Sequence, residues 1–166
     1  MSLIRRINRA PIPFEPDRAD ETAARLPGAA PELLDLLRGA AGCSPYIAGL
    51  IGREADWLRT ACEADPAEAL DAVLAALPEG DSAALKPALR EAKRRVALLV
   101  ALADLGGVWP LAEVTGALTG FADRAVQAAL TALVGAELRR GKIPGATEDD
   151  TATAAGMTVL AMGKMG

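Results

Sequence analysis

The last ten residues, MTVLAMGKMG, carry the residue types best suited to chemistry in this chain. An apolar run over residues 157–162 leads into the turn G-K-M-G at residues 163–166. A glycine-rich turn exposes backbone N–H groups to a phosphate, and a lysine adds a positive charge. The spacing matches neither the Walker A pattern GxxxxGK[ST] nor the dinucleotide pattern GxGxxG. On spacing alone, an ordinary strand followed by a glycine turn remains the simpler interpretation.

The composition excludes several other kinds of catalytic site. The chain contains no histidine, which rules out Ser–His and Cys–His nucleophile pairs and any zinc or iron site that needs imidazole. Cys43 and Cys62 are too few for a disulfide framework and are not spaced as a zinc pair, so we interpret both as buried thiols in a reducing cytoplasm. Cys43-Ser44-Pro45 is typical of a serine-capped helix start and not of a nucleophile.

Two charged clusters each allow a functional and a structural interpretation. Residues 148–150 (EDD) resemble metal ligands, but three adjacent acidic residues in a Thr- and Gly-bounded loop are more typical of a solvated turn. A basic stripe at helical spacing either contacts a phosphate or an acidic partner, or is a solvated helix face partly neutralised by Glu91. The stripe consists of Lys86, Arg90, Lys93, Arg94 and Arg95. We favour the solvated interpretation of both clusters and assign no catalytic or metal-ligating residue.

Net charge and hydropathy limit the classes of partner that this chain can bind. The formal net charge is −4 and the pI is about 4.9, the wrong sign for a protein that coats nucleic acid or an anionic membrane. The longest unbroken apolar run is Val96–Ala103, far short of the ~20 residues that span a bilayer. The N-terminus has no secretory signal. We therefore expect a cytoplasmic protein without nucleic-acid or membrane partners.

The rest of the sequence predicts an all-α multi-helix bundle. Alanine accounts for 37 residues and aromatics for five, a composition that favours helices in close contact. Proline, glycine and acidic caps divide the chain into an extended lead-in (1–16), a helical domain (17–141), a loop (142–156) and a terminal segment (157–166). Helices are predicted at 17–26, 31–39, about 45–52, 53–64 and 66–77, followed by two long ones at 82–105 and 110–140. Pro87 leaves Lys86 as an alternative start of the first long helix.

The terminal segment differs from everything before it. Its apolar run between glycines predicts a buried strand, and a buried strand needs neighbours for its backbone groups. No upstream segment has the pattern of a strand, and the sequence stops immediately after the turn. We therefore expect a piece of a longer protein, cut where a second domain begins. Without its strand partners, the run at 157–162 should be disordered, lie as a helix or coil on the bundle, or dock on a neighbouring molecule.

This terminal segment resembles the opening of the nucleotidyltransferase domain in the glutamate–ammonia ligase (glutamine synthetase) adenylyltransferase family. In that family a strand precedes G-K-[LM]-G-G, then E-L and a downstream Ser-Asp-x-Asp. Three upstream stretches resemble the family in the same order: GCSPYI at 42–47, LREAKRRVALLVALADL at 89–105 and LAEVTGAL at 111–118 continuing through Ala122-Asp123. The resemblance covers about residues 41–166 and corresponds to the N-terminal half of the family's enzymes.

The resemblance implies a function and its cofactors. In the family, the enzyme adds AMP to a tyrosine of glutamine synthetase, and its N-terminal half removes that AMP by phosphorolysis. It implies Mg²⁺ and ATP or ADP as cofactors, glutamine synthetase and the PII signal protein as partners, and a cofactor-binding role for Gly163, Lys164 and Gly166. Here the chain stops at the first glycine of the family's pair, before the Asp-x-Asp that holds Mg²⁺. We therefore expect this segment to buttress a catalytic domain, to be inactive alone and to bind no cofactor tightly.

A second hypothesis assigns the chain to another class, a stand-alone α-helical interaction module without catalytic activity. A helical nucleic-acid binder is disfavoured by the negative charge. The coding sequence just after Gly166 discriminates between the first two hypotheses.

Overall fold

The computed structural model describes residues 1–80 and 82–162. Within these residues the regular elements are eight α-helices and two short 3-10 helices, with no strand. The α-helices are α1 (Leu3–Arg6), α2 (Pro16–Ala23), α3 (Pro31–Cys43), α4 (Pro45–Arg53), α5 (Ala55–Glu63), α6 (Pro66–Ala75), α7 (Ser82–Leu105) and α8 (Leu111–Arg139). The 3-10 helices are Glu148–Thr151 and Ala154–Gly156. The all-α prediction is confirmed for this part of the chain.

The chain divides into two compact units. The first comprises Met1–Val73 and Arg94–Leu118, and the second comprises Leu74–Lys93 and residues 119–162. Helices α7 and α8 are each divided between the two units, α7 at Arg94 and α8 after Leu118.

Proline and polar caps start the helices of the first unit. Four of them begin at a proline, α2, α3, α4 and α6, where the missing N–H removes no helical hydrogen bond. The Ser44 hydroxyl accepts a bond from the Ile47 amide at 3.3 Å, and the Asp65 carboxylate accepts one from the Ala67 amide at 3.0 Å. The predicted serine cap is therefore confirmed, and Asp65 caps α6 in the same way.

The core of the first unit is aliphatic. Side chains from α3, α4, α5 and α7 are at most 2% exposed, among them Leu33, Leu36, Leu37, Ile51, Leu58, Leu98, Leu99 and Leu102. Trp109 is also buried, as expected of a core anchor, whereas Trp57 is only half-buried.

The N-terminal lead-in packs closely against α3. The sequence predicted that α3 ends at Gly39, but it continues to Cys43. A methyl group on Gly39 would overlap the Pro11 carbonyl, and one on Gly42 would overlap Pro13. These glycines therefore allow the extended chain to approach the helix and do not end it.

Glycine does end α7. Gly107 has a φ of +68°, a conformation that L side chains rarely adopt. The N-terminal segment covers this helix end: the Asn8 amide donates to the Gly106 carbonyl at 3.0 Å, and its side-chain Nδ2 donates to the Gly107 carbonyl at 2.9 Å. Arg6 donates to the Val108 carbonyl at 2.8 Å. These bonds pair the backbone carbonyls of the turn that follows α7.

In the second unit the predicted bounds of the first long helix, 82–105, are confirmed, and the segment after α8 differs from the sequence prediction. Helix α7 starts at Ser82 and contains Pro87, so the alternative start at Lys86 is wrong. Proline lacks an N–H and so removes one hydrogen bond, and this loss falls within the first two turns of a 24-residue helix. The predicted loop at 142–156 contains both 3-10 helices, and its Ala154 is buried against Val134 and Leu138 of α8.

Candidate functional site

The terminal segment carries the chemistry predicted from sequence, and its described part is an exposed coil. Residues 157–162 belong to no helix or strand. Leu160 is 85% exposed and Met162 is 86% exposed. Together with Val159, they line a cleft of about 410 Å³ whose other wall is α8, at Asp123, Val126 and Gln127.

The predicted buried strand is therefore not formed in the described chain. A strand needs a neighbouring strand to pair its backbone groups, and the described residues contain none. The candidate cofactor-binding residues Gly163, Lys164 and Gly166 lie outside the described residues.

The acidic residues 148–150 lie in the first 3-10 helix, a single tight turn in place of the open turn that the sequence predicted. The Asp150 carboxylate accepts bonds from the Thr147 amide at 2.7 Å and from the Thr147 hydroxyl at 3.2 Å. Glu148 and Asp149 are exposed. Across the described residues, no group of three His, Cys, Asp or Glu side chains is arranged to hold a metal ion.

The basic stripe has two parts with different roles. Lys86, Arg90 and Lys93 are exposed, in agreement with the solvated interpretation. Arg94 and Arg95 instead bind the carboxylate of Glu54, which is only 5% exposed: the Nε–Oε distances are 2.6 Å and 3.1 Å. The prediction of a solvated face is therefore wrong for these two arginines.

Trp57 completes the cluster around Glu54. The Arg95 guanidinium lies over the Trp57 ring, 5.4 Å from its centroid, a cation–π geometry. Sequence analysis missed Glu54 because a single glutamate between a helix end and a helix start carries no signal of burial. The cluster connects the α4–α5 junction to α7 and is structural, because its charged groups are satisfied by one another.

The two cysteines occupy different environments. Cys62 is fully buried, and burial raises the pKa of its thiol to about 12, with a smaller contribution from the charge of Glu63. Cys43 is exposed, and its thiol donates to the Ile12 carbonyl at 3.2 Å. The prediction that both thiols are buried is wrong for Cys43, because α3 presents it on the side covered only by the lead-in.

Fold and site together define the class: the described residues form helices, and no three of their acidic or thiol side chains are grouped to hold a metal ion. The chain belongs to the glutamate-ammonia ligase adenylyltransferase family, whose sequence profile matches residues 34–166.

Curated relatives agree with this assignment. Enzymes named bifunctional glutamine synthetase adenylyltransferase/adenylyl-removing enzyme from Caulobacter vibrioides and Bradyrhizobium sp. (strain BTAi1) are each 40% identical to the chain. The alignments cover 93% and 97% of this chain but only 16% and 17% of those relatives. The enzyme of the same name from Bradyrhizobium diazoefficiens is 43% identical over 80% of the chain. The chain thus spans about one sixth of the length of these relatives.

Solved structures and the hydropathy of the helices add two findings. No solved structure matches the chain with significant similarity. Among the described residues, no helix is long and apolar enough to cross a membrane.

Proposed function

We propose that this chain is the N-terminal helical segment of a bifunctional glutamine synthetase adenylyltransferase/adenylyl-removing enzyme. The observation that carries the proposal is the family match, which extends to residue 166 and so includes the Gly-Lys-Met-Gly sequence at 163–166. The whole enzyme would add AMP to a glutamine synthetase tyrosine and remove it with phosphate. In the removal step, a phosphate oxygen attacks the adenylyl phosphorus, the tyrosine oxygen leaves, and ADP is the product.

The chemistry of that enzyme would belong to residues beyond this chain. Among the described residues no three acidic side chains are grouped to hold a metal ion, and two of the less exposed carboxylates are already engaged, Asp150 by Thr147 and Glu54 by two arginines. The Ser-Asp-x-Asp of the family would follow residue 166 and would hold the metal. The role of the present helices is to support the domain that carries it.

The terminal segment would become the first strand of that domain. Val159, Leu160 and Met162 are more than half exposed, and burying one such side chain stabilises a protein by roughly 1.5–3 kcal/mol. Pairing with a downstream strand would bury these side chains and satisfy their backbone groups. Under this proposal, residues 17–141 are the helical domain, 142–156 the connecting loop and 157–166 the start of the nucleotidyltransferase domain.

Cofactors and partners follow from the same proposal. Gly163, Lys164 and Gly166 would approach a bound nucleotide, ATP or ADP, in the complete enzyme. Glutamine synthetase would be the protein substrate and the PII protein a regulator, and all would meet in the cytoplasm.

The coding sequence after Gly166 tests the proposal most simply. It should continue with a glycine, then Glu-Leu and Ser-Asp-x-Asp. A stop codon directly after Gly166 would overturn it and would support the stand-alone helical interaction module instead.

A further inference from the structure

A basic cleft lies between α2 and α4 of the first unit. It has a volume of about 370 Å³ and is open to solvent. Arg18 and Arg25, in α2 and just after it, contribute two guanidinium groups, and Arg53 at the end of α4 contributes a third. Glu21 is the one acidic side chain in the lining, so the formal charge of the cleft is +2, within a chain of net charge −4.

Arg18 is fixed in place by α3. Its Nε donates to the Ala41 carbonyl at 2.8 Å and its Nη2 donates to the Gly42 carbonyl at 2.7 Å. These carbonyls belong to the last turn of α3, where intrahelical donors are lacking. The Nη1 group of Arg18 has no hydrogen-bond partner among the described residues, so it remains able to donate to a ligand.

The other two arginines are not engaged by the rest of the described chain. Neither the Arg25 nor the Arg53 guanidinium forms a hydrogen bond or ion pair with another described residue. The Arg25 side chain passes close to Gly52, since its Nε would lie 3.5 Å from a methyl group there. Because Gly52 has no side chain, Arg25 can lie against α4 with its guanidinium at the cleft.

The wall formed by α4 is built from small residues. Gly49 and Gly52 line the cleft, and a methyl group on Gly49 would meet nothing within 4 Å. The absence of side chains at these positions leaves this wall of the cleft open. A compact group can therefore approach the helix backbone in a cleft that the three arginines line.

We propose that this cleft binds the phosphate group of a small anionic ligand. Arginine forks match phosphate oxygens with paired, charge-assisted hydrogen bonds. A formal charge of +2 matches a phosphate dianion, and three guanidiniums around an open space supply more donors than a carboxylate accepts. The ligand is either inorganic phosphate or a small phosphomonoester. This binding site is independent of the proposed function of the chain.

Phosphate binding is measured by isothermal titration of the chain with inorganic phosphate and with phenyl phosphate, at constant ionic strength. Because each guanidinium donates charge-assisted bonds, Arg25→Gln and Arg53→Gln should each weaken binding about tenfold. Glu21→Gln should tighten it about threefold, because it removes a like charge. Arg5→Gln is the matched control, an exposed arginine outside the cleft, and should leave the affinity unchanged.

Gly49→Leu separates a shaped site from diffuse attraction, because it fills the cleft without changing its charge. It should weaken binding as strongly as Arg25→Gln, while the thermal unfolding midpoint is retained. Tighter binding of phenyl phosphate identifies the ligand as a phosphomonoester, whereas equal or tighter binding of inorganic phosphate identifies free phosphate. The proposal is overturned if neither compound binds, if Arg5→Gln weakens binding as much as Arg25→Gln, or if Gly49→Leu has no effect. Binding of hexaglutamate without binding of phosphate also overturns it.

Discussion

Replacing Glu54 by glutamine tests the buried ion cluster of the first unit. Glutamine keeps the size and shape of the side chain and removes its charge. Arg94 and Arg95 would then share one neutral carbonyl oxygen in place of the two carboxylate oxygens that they bind at 2.6 Å and 3.1 Å. The substitution therefore isolates the electrostatic contribution of the cluster.

The expected change in the free energy of unfolding depends on how deeply the ion cluster is buried. Removing one partner of a fully buried ion pair costs about 3–5 kcal/mol, because an uncompensated charge remains inside. Here the arginine side chains are 35% and 28% exposed, so water solvates part of each freed guanidinium. We expect Glu54→Gln to lower the free energy of unfolding by about 2 kcal/mol. For a chain of this size, that corresponds to a fall in Tm of about 4–8 °C.

The assay is urea unfolding followed by far-UV circular dichroism, with Glu137→Gln as the matched control. Glu137 also pairs with an arginine, Arg140 at 2.7 Å, but the two side chains are 38% and 63% exposed, so its substitution should cost about 0.5 kcal/mol or less. A double-mutant cycle with Arg94→Gln should give a coupling of about 1 kcal/mol. Equal effects of Glu54→Gln and Glu137→Gln would refute the structural role of the cluster.

Three further predictions concern other parts of the chain. Gly107→Ala should lower the free energy of unfolding by about 2 kcal/mol, because it forces a side chain into the left-handed conformation and against Asn8; equal stability in urea would contradict this. Asp65→Ala should cost about 1 kcal/mol near neutral pH, because it removes a helix cap. The bond from the Ala67 amide, followed by the N-terminal ammonium and Arg6, holds the pKa of Asp65 below its ordinary value of 3.8, so this contribution is present above that pH and is lost as the pH falls below it. Urea titrations of both proteins should therefore converge in acid, and a constant difference would count against the cap. A chain ending at Gly156 should keep its thermal unfolding midpoint and should associate less, as measured by light scattering. A chain ending at Asp150 should be destabilised, because it loses the buried Ala154. If both truncated chains unfold, residues 157–166 belong to the core.

The sequence predicted helices well where the signal is local. Pro31, Pro45 and Pro66 begin α3, α4 and α6, and Gly107 ends the turn after α7, because proline fixes φ and glycine permits a positive φ at its own position. Family membership was also visible, because the matching stretches are contiguous in sequence.

The errors arise where a distant segment decides the outcome. Gly39 was interpreted as a helix stop, but Pro11, 28 positions earlier, makes it a point of close approach. Arg94 was assigned to a solvated face because its partner Glu54 lies 40 positions away. The terminal apolar run has the composition of a strand, but a strand forms only when another strand is present to pair with it.

The most direct test of the proposed function is ADP release from adenylylated glutamine synthetase in the presence of phosphate and Mg²⁺. The 166-residue chain should release no ADP above a protein-free blank, and the same chain extended through the Ser-Asp-x-Asp of the following domain should release it with turnover. Turnover by the 166-residue chain alone would contradict the assignment of the chemistry to the downstream residues. Failure of the extended, folded protein to release ADP would contradict the proposal that these helices belong to an adenylyl-removing enzyme.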